Sequence, residues 1–166
     1  MRYSEFADVY EKLGSVPGRL EKIQILAEFL GKLEKKGKKE WIYLLKGKVF
    51  SDYDSREYGI SNQLVAKAIS TAYGIRKEEI EKRYNKVGDL GKIAERYSEK
   101  KKQSSLFNKS LDTAKVFDNL KKVIEVEGKG AVEKKINLIS ELLVNAKPLE
   151  AKYIIRTLLQ DLKIGM

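Results

Sequence analysis

Apolar residues recur along this chain at intervals of three and four, with no sustained alternation at two, so the pattern predicts helices from end to end. Residues 3–13 place Phe6, Val9, Tyr10 and Leu13 on one face. Residues 19–33 place Leu20, Ile23, Leu26, Ala27, Leu30 and Leu33 on another, with Ile25 and Phe29 widening it. So wide a stripe predicts a helix packed on several sides. Between these two, Gly14 to Gly18 reads as a break, with Pro17 and Gly18 as turn residues. Gly31 to Lys39 reads as a lysine-rich connection, followed by a short helix over 40–48 around Trp41, Leu44 and Leu45. Residues 49–60 read as a loop. Ser61 is placed to cap a helix over 62–73, and Gly74 to stop it. Further helices are expected over 77–86, from an Asp89 cap to about 101, and over 111–126, 131–146 and 148–160. Pro148 suits the first turn of the last.

The chain also repeats itself. Glu21-Lys22-Ile23-Gln24-Ile25-Leu26-Ala27-Glu28-Phe29-Leu30 is echoed 113 positions later by Lys134-Lys135-Ile136-Asn137-Leu138-Ile139-Ser140-Glu141-Leu142-Leu143. Four of the ten pairs are identical and four more are conservative. Phe6-Ala7-Asp8-Val9-Tyr10 precedes the first copy as Val116-Phe117-Asp118-Asn119-Leu120 precedes the second. Trp41 to Leu45 follows the first as Tyr153 to Leu159 follows the second. The period is too long and the copies too few for a solenoid. At 166 residues the chain is one domain by size. The expected fold is therefore all-α, two related helical halves of a single compact body, half one about 1–99 and half two about 106–166. Lys100 to Ser105, basic and small, is the expected crossover.

Composition narrows the chemistry. There is no cysteine and no histidine. Disulfide frameworks, thiolate nucleophiles, most hydrolase triads and most zinc sites are thereby excluded. No apolar run approaches the roughly 20 residues of a membrane span, and no signal peptide opens the chain. The expectation is an intracellular protein. Lys and Arg number 34 against 24 Asp and Glu, a net charge of +10. Heat adaptation explains abundant charge of both signs. It does not explain the excess of one sign, which is the footprint of a polyanion partner.

Candidate contacts are set by where helices begin. Gly128-Lys129-Gly130-Ala131-Val132-Glu133-Lys134-Lys135 opens the backbone just before a helix, whose first-turn amides have no intrahelical partner. Those donors, the helix dipole and the lysines suit a phosphate. The plain alternative is an interhelical turn with solvated lysines. Pro17-Gly18-Arg19 is the counterpart in the first half, again a turn ending in a cation. Gly88-Asp89-Leu90-Gly91 is another helix start, equally readable as a capped turn with glycine chosen for close packing. Lys100-Lys101-Lys102-Gln103-Ser104-Ser105 offers cations and hydroxyls to a backbone, or simply to solvent. Other likenesses fail. Asp52-Tyr53-Asp54 hints at a calcium loop, but Glu57 and Gln63 stand where glycine and glutamate are needed. Gly37-Lys38-Lys39 lacks the spacing, the hydroxyl and the preceding strand of a P-loop. The tyrosines fall mostly on apolar faces and read as core. No carboxylate pair stands out in an apolar setting, and nothing argues for catalysis.

The run Lys147-Pro148-Leu149-Glu150-Ala151-Lys152-Tyr153-Ile154-Ile155-Arg156-Thr157-Leu158-Leu159-Gln160-Asp161-Leu162-Lys163-Ile164-Gly165-Met166 resembles the end of the N-terminal DNA-binding domain of ATP-dependent DNA ligases of the archaeal and eukaryotic replicative type. Arg2-Tyr3-Ser4-Glu5-Phe6-Ala7 resembles an archaeal ligase start. Gly47-Lys48-Val49-Phe50-Ser51-Asp52-Tyr53, Glu57-Tyr58-Gly59-Ile60, Gly88-Asp89-Leu90-Gly91 and the lysine run into Gln103-Ser104 are also similar. The likeness covers the whole chain in order. It implies about a dozen helices in two pseudo-two-fold-related halves, binding nicked double-stranded DNA across the minor groove through phosphates, without regard to sequence. By motif, the implied contacts are Arg19, the Gly128–Lys135 turn with Gly128, Lys129, Gly130, Lys134 and Lys135, and the Lys100–Ser105 segment with Lys100, Lys101, Lys102, Ser104 and Ser105; Gly18 and Gly88 join the candidates from the reading of helix starts alone. The family often carries serine in the glycine turn where this chain has Lys129 and Ala131, so amide or lysine contacts must replace a hydroxyl.

The family's catalytic Lys-x-Asp-Gly motif is absent, and Lys86-Val87-Gly88-Asp89 has the wrong order. The nucleotidyltransferase and OB-fold domains are missing too, so the chain resembles an isolated or truncated domain. It needs no cofactor or metal itself, while the parent enzyme would use ATP and Mg²⁺. The implied setting is replication, repair and recombination in the cytoplasm, on the nucleoid. Implied partners are duplex DNA, the catalytic core of the same polypeptide and, through the parent, a sliding clamp, although no convincing clamp-binding peptide is visible. A helical protein–protein interaction module is the alternative function. A complete small enzyme is the weakest reading.

Overall fold

The computed structural model describes residues 1–51, 60–102 and 110–166, without the side chain of Lys102. The calcium-loop likeness at Asp52-Tyr53-Asp54, the Glu57-Tyr58-Gly59 stretch and the candidates Ser104 and Ser105 lie outside the described residues. Among those described the fold is all-helical, with nine helices. They are α1 (Tyr3–Ser15), α2 (Arg19–Lys36), a 3₁₀ helix (Lys39–Lys46), α3 (Asn62–Tyr73), α4 (Lys77–Val87), α5 (Leu90–Lys102), α6 (Thr113–Glu125), α7 (Ala131–Asn145) and α8 (Pro148–Leu158). None is long and apolar enough to cross a membrane.

Local signals act where they were expected. Ser61 Oγ accepts the Leu64 amide at 3.1 Å, and Gly74 closes α3 by donating to the Ser70 carbonyl at 2.9 Å. Pro148 opens α8, where the missing amide hydrogen costs nothing. The lysine-rich connection is a correction. Helix α2 runs on to Lys36, because lysine and glutamate are good helix formers and only Gly37 stops it.

The core is built around α8. Every residue from Glu150 to Leu158 is buried. Helix α5 packs along one side of it and α1 along another, while α7 fills the space between α3 and α6. Tyr3, Phe6, Tyr10 and Leu13 of α1 are fully enclosed, and the Tyr10 and Tyr153 rings lie 4.9 Å apart. Helices α5 and α8 approach each other closely at Gly91. A Cβ there would stand 2.8 Å from the Lys152 carbonyl oxygen and 2.9 Å from Arg156 Cγ. Gly91→Ala should therefore force α5 off α8 and cost roughly 1–3 kcal/mol, read by urea unfolding. A neutral result would show that the crossing has slack.

The two echoed stretches fall on α2 and α7, but their surroundings differ. Helix α7 buries Ile139, Leu142 and Leu143. Helix α2 buries only Phe29 and Leu33, leaving Leu20 at 82%, Ile23 at 52% and Leu30 at 38% exposure. The expectation that α2 is packed on several sides is thus overturned. Among the described residues it rests on α1 and the 3₁₀ helix, and no helix packs on it as α3 packs on α7. The segments entering α1 and α6 do meet reciprocally. Tyr3 N donates to Leu111 O at 2.9 Å, and Thr113 N donates to Met1 O at 3.0 Å. Leu111 and Thr113 stand 110 positions after Met1 and Tyr3, so exchanging the two segments exchanges the two bonds, and the same offset relates the echo of α1 in α6.

Candidate nucleic-acid interface

Among the helix starts without a side-chain cap, those of α2 and α7 are led by glycine. Helix α2 begins at Gly18, which has extended backbone and no side chain to cap with. Arg19 beside it is exposed. Glu21 folds back toward this start: its Oε1 lies 3.4 Å from where a Gly18 Cβ would sit. An anion arriving here must displace that carboxylate or share the site with it. Helix α7 begins at Gly130, φ +78°, after Gly128 at φ +87°. Left-handed backbone at both positions favours glycine and turns the chain sharply into the helix. Gly128, Lys129, Gly130 and Lys134 are all exposed and Lys135 is half-buried, so amides and cations face solvent together. The favourable end of the helix dipole points the same way.

The start of α5 is different. Asp89 Oδ1 accepts the Gly91 amide at 2.9 Å and the Lys92 amide at 3.4 Å. Its other oxygen takes Arg156 Nη2 at 2.7 Å, with Lys163 Nζ at 4.0 Å. A built-in carboxylate thus occupies the place a phosphate would take. Exposed Gly88 closes α4, donating to the Tyr84 carbonyl at 2.8 Å. The geometry here is that of a capped turn with Gly91 chosen for close approach.

In the lysine run, Lys100 Nζ sits 5.8 Å from the centre of the Tyr97 ring. Lys101 donates to the Ala72 carbonyl at the end of α3 and stands 5.8 Å from the Tyr73 ring centre. Lys101 therefore neutralises the negative end of α3, where a cation is favoured. Lys100 and Lys101 are together at the end of α5, whereas the α2 and α7 starts lie on helices with different neighbours.

Reading the sequence missed a polar network inside the molecule. Asp89 and Arg156 side chains are each only 7% exposed, and Arg156 Nη1 also donates to the Leu162 carbonyl at 3.3 Å. Burial alone would raise the Asp89 carboxyl. The Arg156 hydrogen bond and charge, with Lys163 and the Lys92 amide, outweigh it and hold the group below its ordinary value. One helical turn earlier, buried Lys152 bridges Glu11 of α1 at 2.9 Å and Glu95 of α5 at 3.7 Å. Burial again pushes Glu11 up, but Tyr153 and Lys152 bring it below the usual carboxylate range. Glu95 is raised, chiefly by burial. These cations join α1, α5 and α8 and do not reach the surface. The available sign was their i, i+4 spacing in an otherwise apolar helix. Among the described residues no acidic cluster is arranged to hold a metal ion.

A family model described as DNA ligase N terminus matches residues 2–166. The chain is 42% identical over its whole length to the DNA ligase of Nanoarchaeum equitans, covering 29% of that protein. It is 39% identical to the DNA ligase of Methanococcus vannielii, again over its whole length and 30% of the relative. It is 37% identical to DNA ligase 2 of Korarchaeum cryptofilum, over its whole length and 28% of that protein. The chain thus spans under a third of the relatives it matches. All-helical packing, an ordered likeness along the full length and the matched family agree, and this chain belongs to the DNA ligase N-terminus family.

Proposed function

We propose that this chain is the non-catalytic DNA-binding domain of an ATP-dependent DNA ligase. It holds nicked duplex through minor-groove and phosphate-backbone contacts, without reading base sequence, while the rest of the enzyme seals the break using ATP and Mg²⁺. The observation that carries this reading is that the two glycine-led, uncapped helix starts, at Gly18 and Gly130, fall on the two echoed helices, each with cations beside it, on a chain of net charge +10. The reciprocal bonds between Met1–Tyr3 and Leu111–Thr113 support a pseudo-two-fold relation between half one, about 1–99, and half two, about 106–166. Two such starts match the two strands of a duplex. The relatives' name, DNA ligase, supports DNA as the partner; the catalytic core of the same polypeptide as a second partner, an intracellular location on the nucleoid, and roles in replication, repair and recombination are parts of the same proposal. A sliding clamp would be reached through the parent enzyme.

Affinity that comes from phosphate neutralisation must fall with salt. With about five phosphates neutralised, log K should fall against log salt with a slope of about −4.5. Filter binding of a nicked duplex at several salt concentrations measures it, and binding indifferent to salt would remove the mechanism. Intact duplex of the same sequence, run in parallel, reads any preference for the nick.

A further inference from the structure

We propose that Lys22 is a positioning residue for nick sealing: it clamps the chain after α8 against α2 and so fixes the direction in which the polypeptide leaves the domain relative to bound duplex. The proposal rests on the functional reading above. Helix α8 closes in a double turn. The Asp161 amide donates to the Arg156 carbonyl at 3.0 Å, and the Gln160 amide to the Thr157 carbonyl at 3.1 Å. Such a stop ordinarily puts glycine in the left-handed position, and here Gln160 takes it at φ +58°. Lys163 follows at φ +55°. Among the described residues these two alone carry left-handed backbone without being glycine. Strain of this kind persists only where the surroundings over-determine the course of the chain.

The contacts that do so are in place. Arg156 Nη1 holds the Leu162 carbonyl at 3.3 Å. Leu162 is buried, with its Cγ 3.1 Å from where a Cβ on Gly47 would stand. Ile164 is buried as well, and its Cα passes 3.9 Å from the same position on Gly14 of α1. Lys22 completes the clamp. Its Nζ donates to the Ile164 carbonyl at 3.0 Å and to the Gly165 carbonyl at 3.2 Å. One ammonium on two carbonyls fixes two successive peptide planes through charge-assisted bonds. Gly165 fits beneath it for want of a side chain: a Cβ would stand 2.7 Å from Lys22 Nζ, and φ is +71°. Exposed Met166 is the first residue past the clamp.

Lys22 is also tied to the candidate phosphate contacts, since its amide donates to the Gly18 carbonyl at 3.2 Å. Exit and duplex are therefore referred to one turn of helix. The matched family is the N terminus of its proteins, and the Nanoarchaeum relative has only 29% of its length in the matched part. In such a ligase the remaining polypeptide starts from this clamp. What a tethered unit can reach depends on where its tether becomes free, and small misplacements of reacting groups cost rate.

The chain has no cysteine, so introduced thiols carry nitroxide labels at chosen positions. Lys82→Cys, on exposed α4, and Met166→Cys report the exit through their distance distribution in the free chain. Lys22→Met should broaden it about twofold, toward the spread of an untethered segment. Lys22→Arg keeps donors and should restore it. Gly165→Ala breaks the same clamp from the tail and leaves α2 intact, so it should broaden the distribution too, and combining it with Lys22→Met should add nothing. A fusion in which this chain replaces the matching N-terminal part of the Nanoarchaeum equitans ligase reads the reaction. There Lys22→Met and Gly165→Ala should each lower kcat for sealing at saturating nicked duplex about tenfold, and Lys22→Arg should recover it. Duplex affinity and salt slope of the free chain should be unchanged by Lys22→Met. An unchanged distance distribution or an unchanged kcat would overturn the proposal. So would weaker duplex binding by Lys22→Met, which would make the lysine a phosphate contact. A kcat loss absent from Gly165→Ala would confine the role of Lys22 to α2 and overturn it too, as would a fusion with the unaltered chain that binds duplex but seals no nick. Duplex binding absent from every form would instead sink the functional reading, and the distance distributions are read separately from it.

Discussion

Replacing Arg156 with leucine should cost the fold about 3–5 kcal/mol at neutral pH, because it leaves a buried carboxylate without its partner. The Asp89 and Arg156 side chains are each 7% exposed and meet at 2.7 Å. The same arginine holds the Leu162 carbonyl, so the turn after α8 loosens with it. Lys163, 4.0 Å away and 41% exposed, compensates only weakly. Against a typical total of about 5–15 kcal/mol, the loss would be visible in urea unfolding as a large drop in midpoint. The double variant Asp89→Asn with Arg156→Leu should recover part of it by removing the stranded charge. A single-variant loss below about 1 kcal/mol would show that solvent reaches Asp89 and would refute the buried pair. The sign with pH is set by the depressed folded value of Asp89. The pair's contribution is present above the ordinary carboxylate value of 3.8 and fades as pH falls through the lower folded value. Arg156→Leu should abolish that part of the acid slope.

The triple variant Arg19→Glu, Lys134→Glu, Lys135→Glu should bind nicked duplex about 100-fold more weakly than the parent. This allows about 1 kcal/mol for each exposed cation meeting a phosphate, with tenfold in affinity per 1.4 kcal/mol. The salt slope should shrink by about one for each phosphate no longer neutralised, and the weakening should be equal for unrelated sequences. Arg19 and Lys134 are exposed and Lys135 is half-buried, all at helix starts, so unfolding midpoints should move little. A loss below threefold, or one that depends on base sequence, would move the binding face elsewhere. The contrast between sites is informative as well. Substitution at Gly88 should leave affinity near that of the parent, since Asp89 already fills the amides of α5. Lys101 is committed to the Ala72 carbonyl, so Lys101→Ala should register in stability before binding.

The resemblance drawn from the ordered motifs is shown by the matched family, and the all-α class by the helices. What could be read was what depends on near neighbours in the chain. Ser61, Gly74 and Asp89 mark helix ends through bonds that span two to four residues, and Pro148 through its missing amide hydrogen, so their effects are visible in the string of letters. The helix starts at Gly18 and Gly130 were legible for the same reason. The occupancy of such a start was not. Gly88 and Gly130 both precede helices, yet a carboxylate fills the first-turn amides of α5, and its orientation is set by Arg156, which is 67 residues away.

Periodicity drew an apolar stripe on α1 and on α2 but could not tell how much of each is covered. Helices α2 and α7 share four identical residues in ten, yet only α7 has α3 against it. The sequence by itself determined that this protein is helical and basic, where its helices start and stop, and which family it resembles. Only the tertiary structure decided which apolar faces stay in solvent and which cations are spent inside. Burial and ion pairing are properties of segments brought together from far apart in the chain, and no local pattern encodes the partner.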